Sequence, residues 1–501
     1  MERKITKILI ANRGEIALRI VRSCKELGLE AVTIYTEKEN NYPHALEANE
    51  AYCLGSGPLK ETYLNETKII EIAKNSGCDA IHPGYGFLSE RSSFASLVEA
   101  AGIIFIGPQS KVMELMGDKR ASKKKMESLK IPLIPGYHGQ EQDITFLQKQ
   151  ASGIGYPILI KAVAGGGGKG MRIVYRENEF SQLCIEAKSE ALKSFGDDQV
   201  IIEKFIQNPR HIEVQVFSDS HGNHLHLFER ECSIQRRYQK IIEESPSPAL
   251  DEKLRDQMTK VAVKISTAVD YLGAGTIEFI LDQDGAFYFL EMNTRLQVEH
   301  PITELCTGID LVKWQILVAE GKPLPLKQKD LMQKGHAIEC RIYAEDPDNN
   351  FMPSVGTLSC IDISGPVEYR LDCGFAVGNT VEVDFDPMLA KIIVSGENRA
   401  EAIFKMILAL NYTPFLGVKT NRDFLKRLLN HPQFLAGQTY THFIQTYQDD
   451  LCPKTLNTEI LAKIIAAKIF ATKRGTFNDE NSASKVNSDG PWQRLKGFKL
   501  K

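Results

Sequence analysis

The first hundred residues alternate short apolar runs with segments whose apolar residues recur at helical spacing. The runs predict strands at Lys7–Ala11, Ala31–Tyr35, Ala80–His82 and Ile103–Ile106, and the helical spacing predicts helices at Ile16–Leu27, Ile69–Ala73 and Phe94–Ala101. Strands that alternate with helices are typical of a parallel sheet. Residues 1–115 are therefore predicted to form a doubly wound α/β domain, with ligand-binding loops after its strands at residues 12–14 and 82–86.

The pattern changes twice downstream. A predicted helix over Ser110–Leu129 leads into a second unit, residues 116–205, with strands expected at Ile158–Ala162, Met171–Val174 and Val200–Glu203. Residues 206–447 carry longer alternating strands, and two of them, His211–Phe217 and His224–Glu229, flank a Gly-Asn turn that indicates an antiparallel sheet. Residues 448–501 are predicted to be a helical tail, a polar linker over 472–490 and a last segment that carries a Trp.

Composition excludes several classes of protein. The 501 residues are 43% hydrophobic and 25% charged, which is typical of a globular protein of several domains. The net charge of -3 gives no general attraction for nucleic acid, and the absence of a long apolar stretch argues against a membrane partner. Ten Cys without C-x-x-C spacing, and an N-terminus without a signal-like apolar run, favour a cytoplasmic location.

A glycine-rich loop lies between two predicted strands of the second unit. Gly165 to Gly170, in AVAGGGGKGMRIVY, matches G-x-G-x-x-G, but a strand follows it where a dinucleotide-binding loop has a helix. A P-loop is also excluded, because Gly170 and not Ser or Thr follows Lys169. The loop is predicted to be a hairpin whose backbone N–H groups cover phosphates, with a flexible surface turn as the alternative.

Residues 275–293 read as two strands joined by a tight turn. If Leu281 pairs with Ala286, Glu278 and Glu291 become diagonal neighbours on one face, and Asn293 joins them. Carboxylates at that spacing can share Mg²⁺, which prefers oxygen ligands. The alternative is a solvated sheet face with two ordinary acids.

The surroundings of these acids favour a functional cleft. Phe287 and Phe289 are expected on the same face as the two carboxylates, where burial would make uncompensated charge costly. The loop that follows supplies Arg295 as a fork for a planar oxyanion, Gln297 as an amide donor and Glu299 as a base for proton abstraction.

Three further groups of residues are ambiguous from sequence alone. Lys240 and the pair Arg236-Arg237 form either a second basic cluster of the site or a surface charge run. Arg341, which alternates with apolar residues, is either functional or part of a buried ion pair. His224 and His226 share a strand face and could ligate a metal, although no third ligand is evident.

Six motifs in order resemble those of biotin carboxylases, which are ATP-grasp enzymes. They are KILIANRGEIALRI, HPGYGFLSE, MGDK, AGGGGKGMR, ECSIQRRYQKIIEE and EMNTRLQVEHPITE, and the resemblance covers residues 1–447. It implies an α/β and α+β, three-domain ATP-grasp architecture: a pre-ATP-grasp domain, a small lid, and a large mixed-sheet catalytic domain with a C-terminal extension. The implied activity is that of an ATP-dependent carbon–nitrogen ligase, which carboxylates biotin through carboxyphosphate by using bicarbonate and ATP with Mg²⁺ or Mn²⁺.

The resemblance also implies roles for individual residues. The ATP-binding residues would be Lys119, Lys161, Gly167, Gly168, Lys169, Glu203, His211, Gln235, Tyr238, Glu278 and Glu291. The metal ligands would be Glu278, Glu291 and Asn293, and the bicarbonate-binding residues would be Lys240, Arg295, Gln297 and Val298. Glu299 would be the base that deprotonates bicarbonate, and Arg341 would bind biotin and stabilise its enolate. Lys240 and Arg295 complete the implied catalytic set with these two residues.

One position departs from the family pattern. Many members have His where Tyr238 stands in QRRYQK. A Tyr side chain can stack and donate a hydrogen bond but carries no charge near neutral pH. The departure puts an ionic contact to phosphate from this position in doubt.

Partners follow from what the printed sequence contains. None of its 11 Met residues is followed by Lys, so the Met-Lys-Met biotin attachment motif is absent, and the biotinyl carrier is expected on another polypeptide or on a further C-terminal part. A carboxyltransferase subunit and a homodimer are also implied. GPWQRLKGFKLK resembles the start of the connecting domain in acyl-CoA carboxylase α subunits and favours the methylcrotonyl or propionyl kind. Acetyl-CoA carboxylase, pyruvate carboxylase, another ATP-grasp ligase and a nucleotide-binding scaffold without turnover are the alternatives.

Overall fold

A computed structural model describes residues 3–164, 170–363 and 365–452 of the chain. The glycine-loop residues Gly167, Gly168 and Lys169 lie outside the described residues, as does everything predicted from residue 453 onward. The described residues belong to one compact unit. Among them, no helix combines the length and apolar character that crossing a bilayer would require.

The N-terminal sheet is parallel and five-stranded, which confirms the predicted α/β arrangement. Its strands are β1 (Lys7–Ile10), β2 (Glu30–Tyr35), β3 (Glu50–Cys53), β4 (Ala80–His82) and β5 (Ile104–Phe105), in the order β3-β2-β1-β4-β5. Its helices are α1 (Gly14–Glu26), α2 (Pro43–Leu46), α3 (Glu66–Asn75) and α4 (Ser92–Ala100). The sequence pattern missed β3, whose apolar run is too short to stand out.

The helix predicted over Ser110–Leu129 is in fact two helices, α5 (Ser110–Gly117) and α6 (Lys119–Ser128). Asp118 separates them with an extended backbone and caps α6, because its Oδ1 accepts hydrogen bonds from the N–H groups of Arg120 at 2.8 Å and Ala121 at 2.9 Å. An aspartate that satisfies two N-terminal donors starts a new helix more favourably than it continues an old one. The break sets the direction of α6 toward the cleft described below.

A small antiparallel sheet follows, with the order β6-β9-β7-β8. Its elements are β6 (Gly136–Tyr137), α7 (Ile144–Ile154), β7 (Ile158–Ala162), β8 (Arg172–Val174), α8 (Phe180–Phe195) and β9 (Val200–Lys204). The alternation in β7 puts Ile158 and Ile160 in a core with Phe180, while Lys161 points to the other side. The glycine-rich segment connects β7 to β8.

The largest sheet has eight antiparallel strands in the order β14-β13-β10-β11-β12-β15-β22-β20. Its first six strands and their helices are β10 (Arg210–Ser218), β11 (His224–Arg236), β12 (Gln239–Ser245), α9 (Glu252–Ala268), β13 (Gly273–Leu281), β14 (Phe287–Asn293), α10 (His300–Thr307), α11 (Leu311–Ala319) and β15 (His336–Tyr343). In β10, Ile212, Val214 and Val216 belong to an apolar core that also includes residues of α9. The opposite face of β10 carries His211, Glu213 and Gln215, so one face of the sheet is polar although it is buried.

The C-terminal residues complete this sheet and add short elements around its end. They are β16 (Glu345–Asp346), β17 (Met352–Pro353), β18 (Gly356–Thr357), β19 (Cys360–Ile361), β20 (Arg370–Cys373), β21 (Thr380–Val381), β22 (Met388–Gly396), α12 (Arg399–Tyr412), β23 (Phe415–Leu416), α13 (Arg422–Leu429), α14 (Pro432–Leu435), α15 (Phe443–Thr446) and α16 (Gln448–Leu451). The long strand β22 carries Lys391, which is fully buried among acids of three different elements.

Candidate active site

A cleft of about 1800 Å³ opens between the three sheets. Most of the residues that the sequence singled out line it: Lys119, Lys161, His211, Gln235, Tyr238, Lys240, Glu278, Glu291, Asn293, Arg295, Gln297, Val298, Glu299 and Arg341. Glu203 lies just beneath the wall and contacts Lys161. The fold therefore brings together residues that lie far apart in the sequence.

The two carboxylates of the β13–β14 hairpin share one face, as predicted, but the predicted register is wrong. Leu281 pairs with Phe287 and not with Ala286, and Glu278 lies directly opposite Glu291 and not diagonal to it. The difference has two sources. The turn is one residue longer than predicted, so that Leu281 pairs with Phe287, and Leu290 forms a β-bulge, since Phe279 pairs with Phe289 and the next pair is Glu278 with Glu291. An extra residue in one strand shifts the alternation of side chains beyond it.

The observed register also differs from the prediction in the position of two aromatic rings. Phe287 and Phe289 do not share the face of the acids, because Phe289 lies opposite Phe279 and belongs with it to the core beneath the sheet. The rings of Phe279 and Phe287 meet edge to face with centroids 5.5 Å apart. The apolar side chains beside the acids in the cleft are Ile280 and Leu290 instead.

Glu278 is the buried member of the acid pair and is surrounded by donors. Its Oε1 lies 2.9 Å from Lys240 Nζ and accepts a 2.9 Å hydrogen bond from Asn293, and its Oε2 lies 2.8 Å from His211 Nε2. Burial alone would raise the pKa of Glu278, but the charges of Lys240 and His211 hold it below its ordinary value. Glu278 is therefore a carboxylate at neutral pH.

Glu291 is the member of the pair that faces the open cleft. Desolvation by the cleft walls, followed by the charge of Glu278 opposite, raises its pKa. Two facing carboxylates that repel each other fit a divalent cation, which removes the repulsion and takes oxygen ligands. The residues present thus fit Mg²⁺ or Mn²⁺ held by Glu278 and Glu291, with Asn293 beside them.

Lys240 lies inside the cleft. The alternative prediction, that its segment is a surface charge run, is therefore wrong for this residue. Its Nζ contacts three carboxylates, at 2.6 Å from Glu213, 2.9 Å from Glu278 and 2.7 Å from Glu299. Burial would lower the pKa of Lys240, but these acids raise it well above its ordinary value. Lys240 is therefore a fixed positive charge among three carboxylates of the cleft.

The same segment turns outward just before Lys240. Arg237 and Tyr238 both have positive φ angles, 50° and 67°, and form the turn between β11 and β12. The Tyr238 side chain is 62% exposed at the mouth of the cleft. A Tyr in this position can stack on a ligand in the cleft but brings no charge to it.

Glu299 and Arg341 form a buried ion pair on the wall of the cleft. Arg341 Nη2 lies 3.0 Å from Glu299 Oε2, and Arg341 Nε donates a 2.7 Å hydrogen bond to Glu243. Glu299 is fully buried, and although burial opposes its ionisation, Lys240 and Arg341 hold its pKa well below the ordinary value. Arg341 is thus part of a buried ion pair and also lines the cleft, so the two alternatives for it are compatible.

Arg295 is held from the N-terminal domain. Its Nε lies 3.0 Å from the carboxylate of Glu90, and its Nη1 donates a 2.7 Å hydrogen bond to Gln297. Gln297 in turn donates to Glu278 at 3.3 Å. These contacts orient the guanidinium and the amide toward the same part of the cleft as Lys240.

The cleft also carries a cluster of lysines, which lies close enough to Glu291 for its charge to act on them. Lys161 Nζ lies 2.5 Å from Glu203, and Lys123 pairs with the same carboxylate. Burial, followed by the charge of Lys119, lowers the pKa of Lys161 to about 8. Closely spaced cations with lowered pKa values indicate a site for a polyanion such as the phosphates of a nucleotide.

His211 lies beside the acid pair and contacts Glu278 and Gln235. Its Nδ1 lies 2.7 Å from Gln235 Nε2, and its Nε2 faces Glu278. Burial would lower the pKa of His211, but Glu278 raises it. His211 and Gln235 therefore present a fixed pair of polar groups to the cleft beside Glu278.

Sequence reasoning missed several charged residues that support these side chains. Four of them are buried, namely Lys123, Glu213, Arg230 and Glu243, and the fifth, Glu90, is exposed. Arg230 is fully buried, contacts Glu213 at 2.5 Å and donates to Gln215 at 2.8 Å and Thr303 at 3.0 Å. Glu213 could have been found from the sequence, because it lies two residues after His211 in β10 and therefore faces the same side of the sheet.

Two His residues considered as metal ligands have other contacts. His224 Nδ1 lies 2.7 Å from the Ser218 hydroxyl, and His226 accepts from the Phe228 N–H at 3.4 Å. Within residues 3–164, 170–363 and 365–452, neither belongs to a group of three ligands close enough to hold a metal. A group of His211, Glu213 and Glu278 is close enough, but Glu213 is already paired with Arg230 and Lys240.

Three family models match successive parts of the chain. Residues 4–113 match the biotin carboxylase N-terminal domain, residues 118–327 the ATP-binding domain of the carbamoyl-phosphate synthase L chain, and residues 339–446 the biotin carboxylase C-terminal domain.

Curated relatives cover nearly the whole chain. The α subunit of methylcrotonoyl-CoA carboxylase from Dictyostelium discoideum is 49% identical over 99% of this chain and 70% of its own length, and that of Mus musculus is 51% identical over 94% of this chain and 66% of its own. Biotin carboxylase 1 of Bacillus subtilis is 47% identical over 88% of this chain and 99% of its own length. The chain thus spans about two thirds of the methylcrotonoyl-CoA carboxylase subunits.

Solved structures share the fold. The biotin carboxylase of Campylobacter jejuni, described as a β,γ-ATP complex, is 44% identical with a TM-score of 0.85 over 88% of this chain and 99% of that one. The biotin carboxylase domain dimer of Hydrogenobacter thermophilus 2-oxoglutarate carboxylase, solved with MgADP, ADP and bicarbonate, is 44% identical with a TM-score of 0.86 over 90% of this chain and 99% of that one. The chain therefore belongs to the biotin carboxylase family of ATP-dependent ligases.

Proposed function

We propose that this biotin carboxylase activates bicarbonate at the cluster formed by Lys240, Glu299 and Arg341. The observation that carries the proposal is that two fixed cations flank one buried carboxylate on the wall of a cleft large enough for a nucleotide. A small anion is attracted by the cations, and the carboxylate provides a base in contact with it.

In the proposed reaction, bicarbonate lies against Lys240, Arg295, Gln297 and the Val298 backbone. Glu299 takes its proton, and the resulting oxyanion attacks the γ-phosphate of ATP to give ADP and carboxyphosphate. Carboxyphosphate then breaks into CO₂ and phosphate. The released phosphate takes the N–H proton of biotin, and the resulting enolate, which Arg341 stabilises, attacks CO₂ to give carboxybiotin. Catalysis of such a transfer depends mainly on position and charge neutralisation, which the fixed cations supply.

The nucleotide is assigned to the lysine cluster of the cleft. Lys119 and Lys161, supported by Glu203, would bind the phosphates, and His211 and Gln235 would bind the part of ATP nearest the acids. Glu278 and Glu291 would hold Mg²⁺ or Mn²⁺ with help from Asn293, and the bound cation would neutralise phosphate charge. Tyr238 would stack at the mouth of the cleft.

The glycine loop is part of the same proposal. Gly167, Gly168 and Lys169 are expected to cover the phosphates, as the sequence resemblance implies. The support for this comes from the neighbouring strands β7 and β8, which flank the loop and carry cleft-lining residues such as Lys161 and Ile173.

The experiment that tests this activity measures ADP release with MgATP while bicarbonate and free biotin are varied. A biotin carboxylase releases ADP in response to bicarbonate, and biotin stimulates it. Turnover without any response to biotin would favour another ATP-grasp ligase, and complete inactivity in the presence of a biotinyl carrier would favour a scaffold role.

For the final acceptor, we propose methylcrotonoyl-CoA. The curated relatives named as methylcrotonoyl-CoA carboxylase α subunits reach 51% identity and support this choice, although a biotin carboxylase subunit of pyruvate carboxylase is 47% identical in its solved structure. The partners would be a biotinyl carrier domain or protein and a carboxyltransferase subunit, and the chain would form a homodimer, as the Hydrogenobacter domain does. A cytoplasmic location remains our expectation, while the eukaryotic relatives are named as mitochondrial.

The acceptor is tested by affinity capture from the native host, followed by identification of the biotinylated and carboxyltransferase partners. The captured complex is then assayed with methylcrotonoyl-CoA, acetyl-CoA, propionyl-CoA and pyruvate. Carboxylation of pyruvate or acetyl-CoA in preference to methylcrotonoyl-CoA would overturn the assignment of the acceptor and leave the biotin carboxylase activity untouched.

A further inference from the structure

Lys391 is a fully buried cation that lies behind the active-site loop and not on the wall of the cleft. Its Nζ donates a 2.8 Å hydrogen bond to the carbonyl oxygen of Val298 and lies 3.1 Å from Glu15 and 3.8 Å from Asp372. Burial alone would lower the pKa of Lys391, but these acids, with Glu339, raise it. A buried ammonium that keeps its charge holds its partners firmly, because leaving any of them unpaired is costly.

The acceptor of this hydrogen bond belongs to the peptide that leads into Glu299. The Val298 carbonyl and the Glu299 N–H lie in one planar group, so fixing the oxygen fixes the orientation of the whole peptide. Glu299 is the N-cap residue of α10 and does not have helical geometry, with φ of −80° and ψ of 10°. The backbone of the base is therefore held on its N-terminal side by the hydrogen bond from Lys391 to Val298 and on its C-terminal side by α10.

The other partner of Lys391 ties this support to the N-terminal domain. Glu15 lies in the first turn of α1, and its Oε1, which Lys391 contacts, also accepts a hydrogen bond from the Tyr85 hydroxyl. Gly374 packs so closely here that a Cβ would lie 2.5 Å from the Glu15 N atom. The end of Lys391 is thus fixed by two domains in a place where neither can shift easily.

We infer that Lys391 is a positioning residue that holds the Val298–Glu299 peptide so that the Glu299 carboxylate faces bicarbonate. The inference rests on the proposed role of Glu299. Lys391 acts through the peptide, because its Nζ contacts the Val298 carbonyl, whereas the cations in contact with the Glu299 carboxylate are Lys240 and Arg341. Losing Lys391 should therefore weaken bicarbonate use without changing the acidity of Glu299.

The test compares K391M and K391R with the parent enzyme in the bicarbonate-dependent release of ADP. K391M keeps the length of the side chain but removes the donor, and we expect kcat/KM for bicarbonate to fall by about 10- to 100-fold, since small displacements of a reacting group have effects of that size. The KM for MgATP should stay within about twofold, because a role confined to bicarbonate leaves nucleotide binding unchanged. The acid limb of the pH profile should fall in height and stay at the same pH.

K391R keeps the charge that Glu15 and Asp372 need, but its planar group cannot place a donor where Nζ lies. We expect it to fold and to show a smaller, still selective rise in KM for bicarbonate. The matched control is R399M. This substitution removes a cation whose Nε lies 2.6 Å from Glu244, and neither residue lines the cleft. It should lower the melting temperature and leave the bicarbonate dependence at the parental level.

The outcomes separate the inference from the proposed function. A parent enzyme without bicarbonate-dependent ADP release would overturn the proposed function and the inference with it. An active parent with parental bicarbonate constants in K391M, or equal losses for bicarbonate and MgATP, would overturn the inference alone. If K391M fails to fold, K391R decides: a raised KM for bicarbonate supports the role, and a parental value overturns it.

Discussion

Replacing Glu299 by Gln removes the proposed base and changes the shape of the site very little. The parental carboxylate lies 2.7 Å from Lys240 and 3.0 Å from Arg341, one cation at each oxygen. In the amide, one of these positions becomes an NH₂ group that faces a cation and cannot accept a hydrogen bond. The substitution therefore abolishes proton abstraction and weakens one of the two contacts.

The magnitude follows from the role of the group. A positioned general base contributes about 10²- to 10⁴-fold to a rate, which corresponds to about 2.7–5.5 kcal/mol of transition-state stabilisation. The cost in folding is smaller, about 1–3 kcal/mol, because Lys240 keeps Glu213 and Glu278 and Arg341 keeps Glu243 as partners. The variant should thus be folded and nearly inactive.

The assay is ADP release at saturating bicarbonate, with nucleotide binding and thermal melting measured in parallel. Bicarbonate-dependent turnover of E299Q should fall by about 10²- to 10⁴-fold while MgATP binding stays close to the parental level. The control is E244Q, in which a buried Glu loses its charge beside His336 at 2.8 Å and Arg399 at 2.6 Å, outside the cleft. Turnover of E299Q within about fivefold of the parent would refute the assignment of the base.

Three further predictions follow from the charges of the cleft. Phosphates should raise the pKa of Lys161 from its value of about 8, so MgADP binding should take up protons near pH 8 and weaken as the pH rises further. Calorimetry in buffers of different ionisation enthalpy measures this proton uptake. A binding heat that does not depend on the buffer would contradict the prediction. Glu291→Gln should raise the half-saturating Mg²⁺ concentration for ADP release by at least about tenfold, because a proposed metal ligand is lost. The melting temperature should not fall, because the repulsion between residue 291 and Glu278 is relieved. An unchanged Mg²⁺ titration would show that Glu291 is not part of the metal site. Arg341→Met should keep ATP cleavage without biotin within about tenfold and abolish its stimulation by biotin; a parental biotin response would exclude Arg341 from that step.

The sequence was sufficient to locate the residues of the cleft because their chemistry is concentrated in short motifs that follow strands. The predicted pairing of the β13–β14 hairpin is wrong because the sequence pattern defines neither the length of the turn nor which of the apolar residues Phe287, Phe289 and Leu290 forms a bulge. The packing of Phe289 against Phe279 in the core decides this, and it depends on elements far away in the chain.

The supporting charges were harder to find for a related reason. Lys123 lies in a lysine-rich helix, where composition does not distinguish the one side chain that turns inward to Glu203. Glu90 reaches Arg295 only after the N-terminal domain packs against the catalytic one. Such partners are defined by tertiary contacts between distant segments, so no local spacing marks them.

The most direct test of the whole account follows an oxygen atom from bicarbonate. With ¹⁸O-labelled bicarbonate, unlabelled water and MgATP, attack of the bicarbonate oxygen on the γ-phosphate should leave one labelled oxygen in each phosphate released with ADP. Phosphate that carries oxygen only from water would show that the cleft hydrolyses ATP without activating bicarbonate, and would contradict the account.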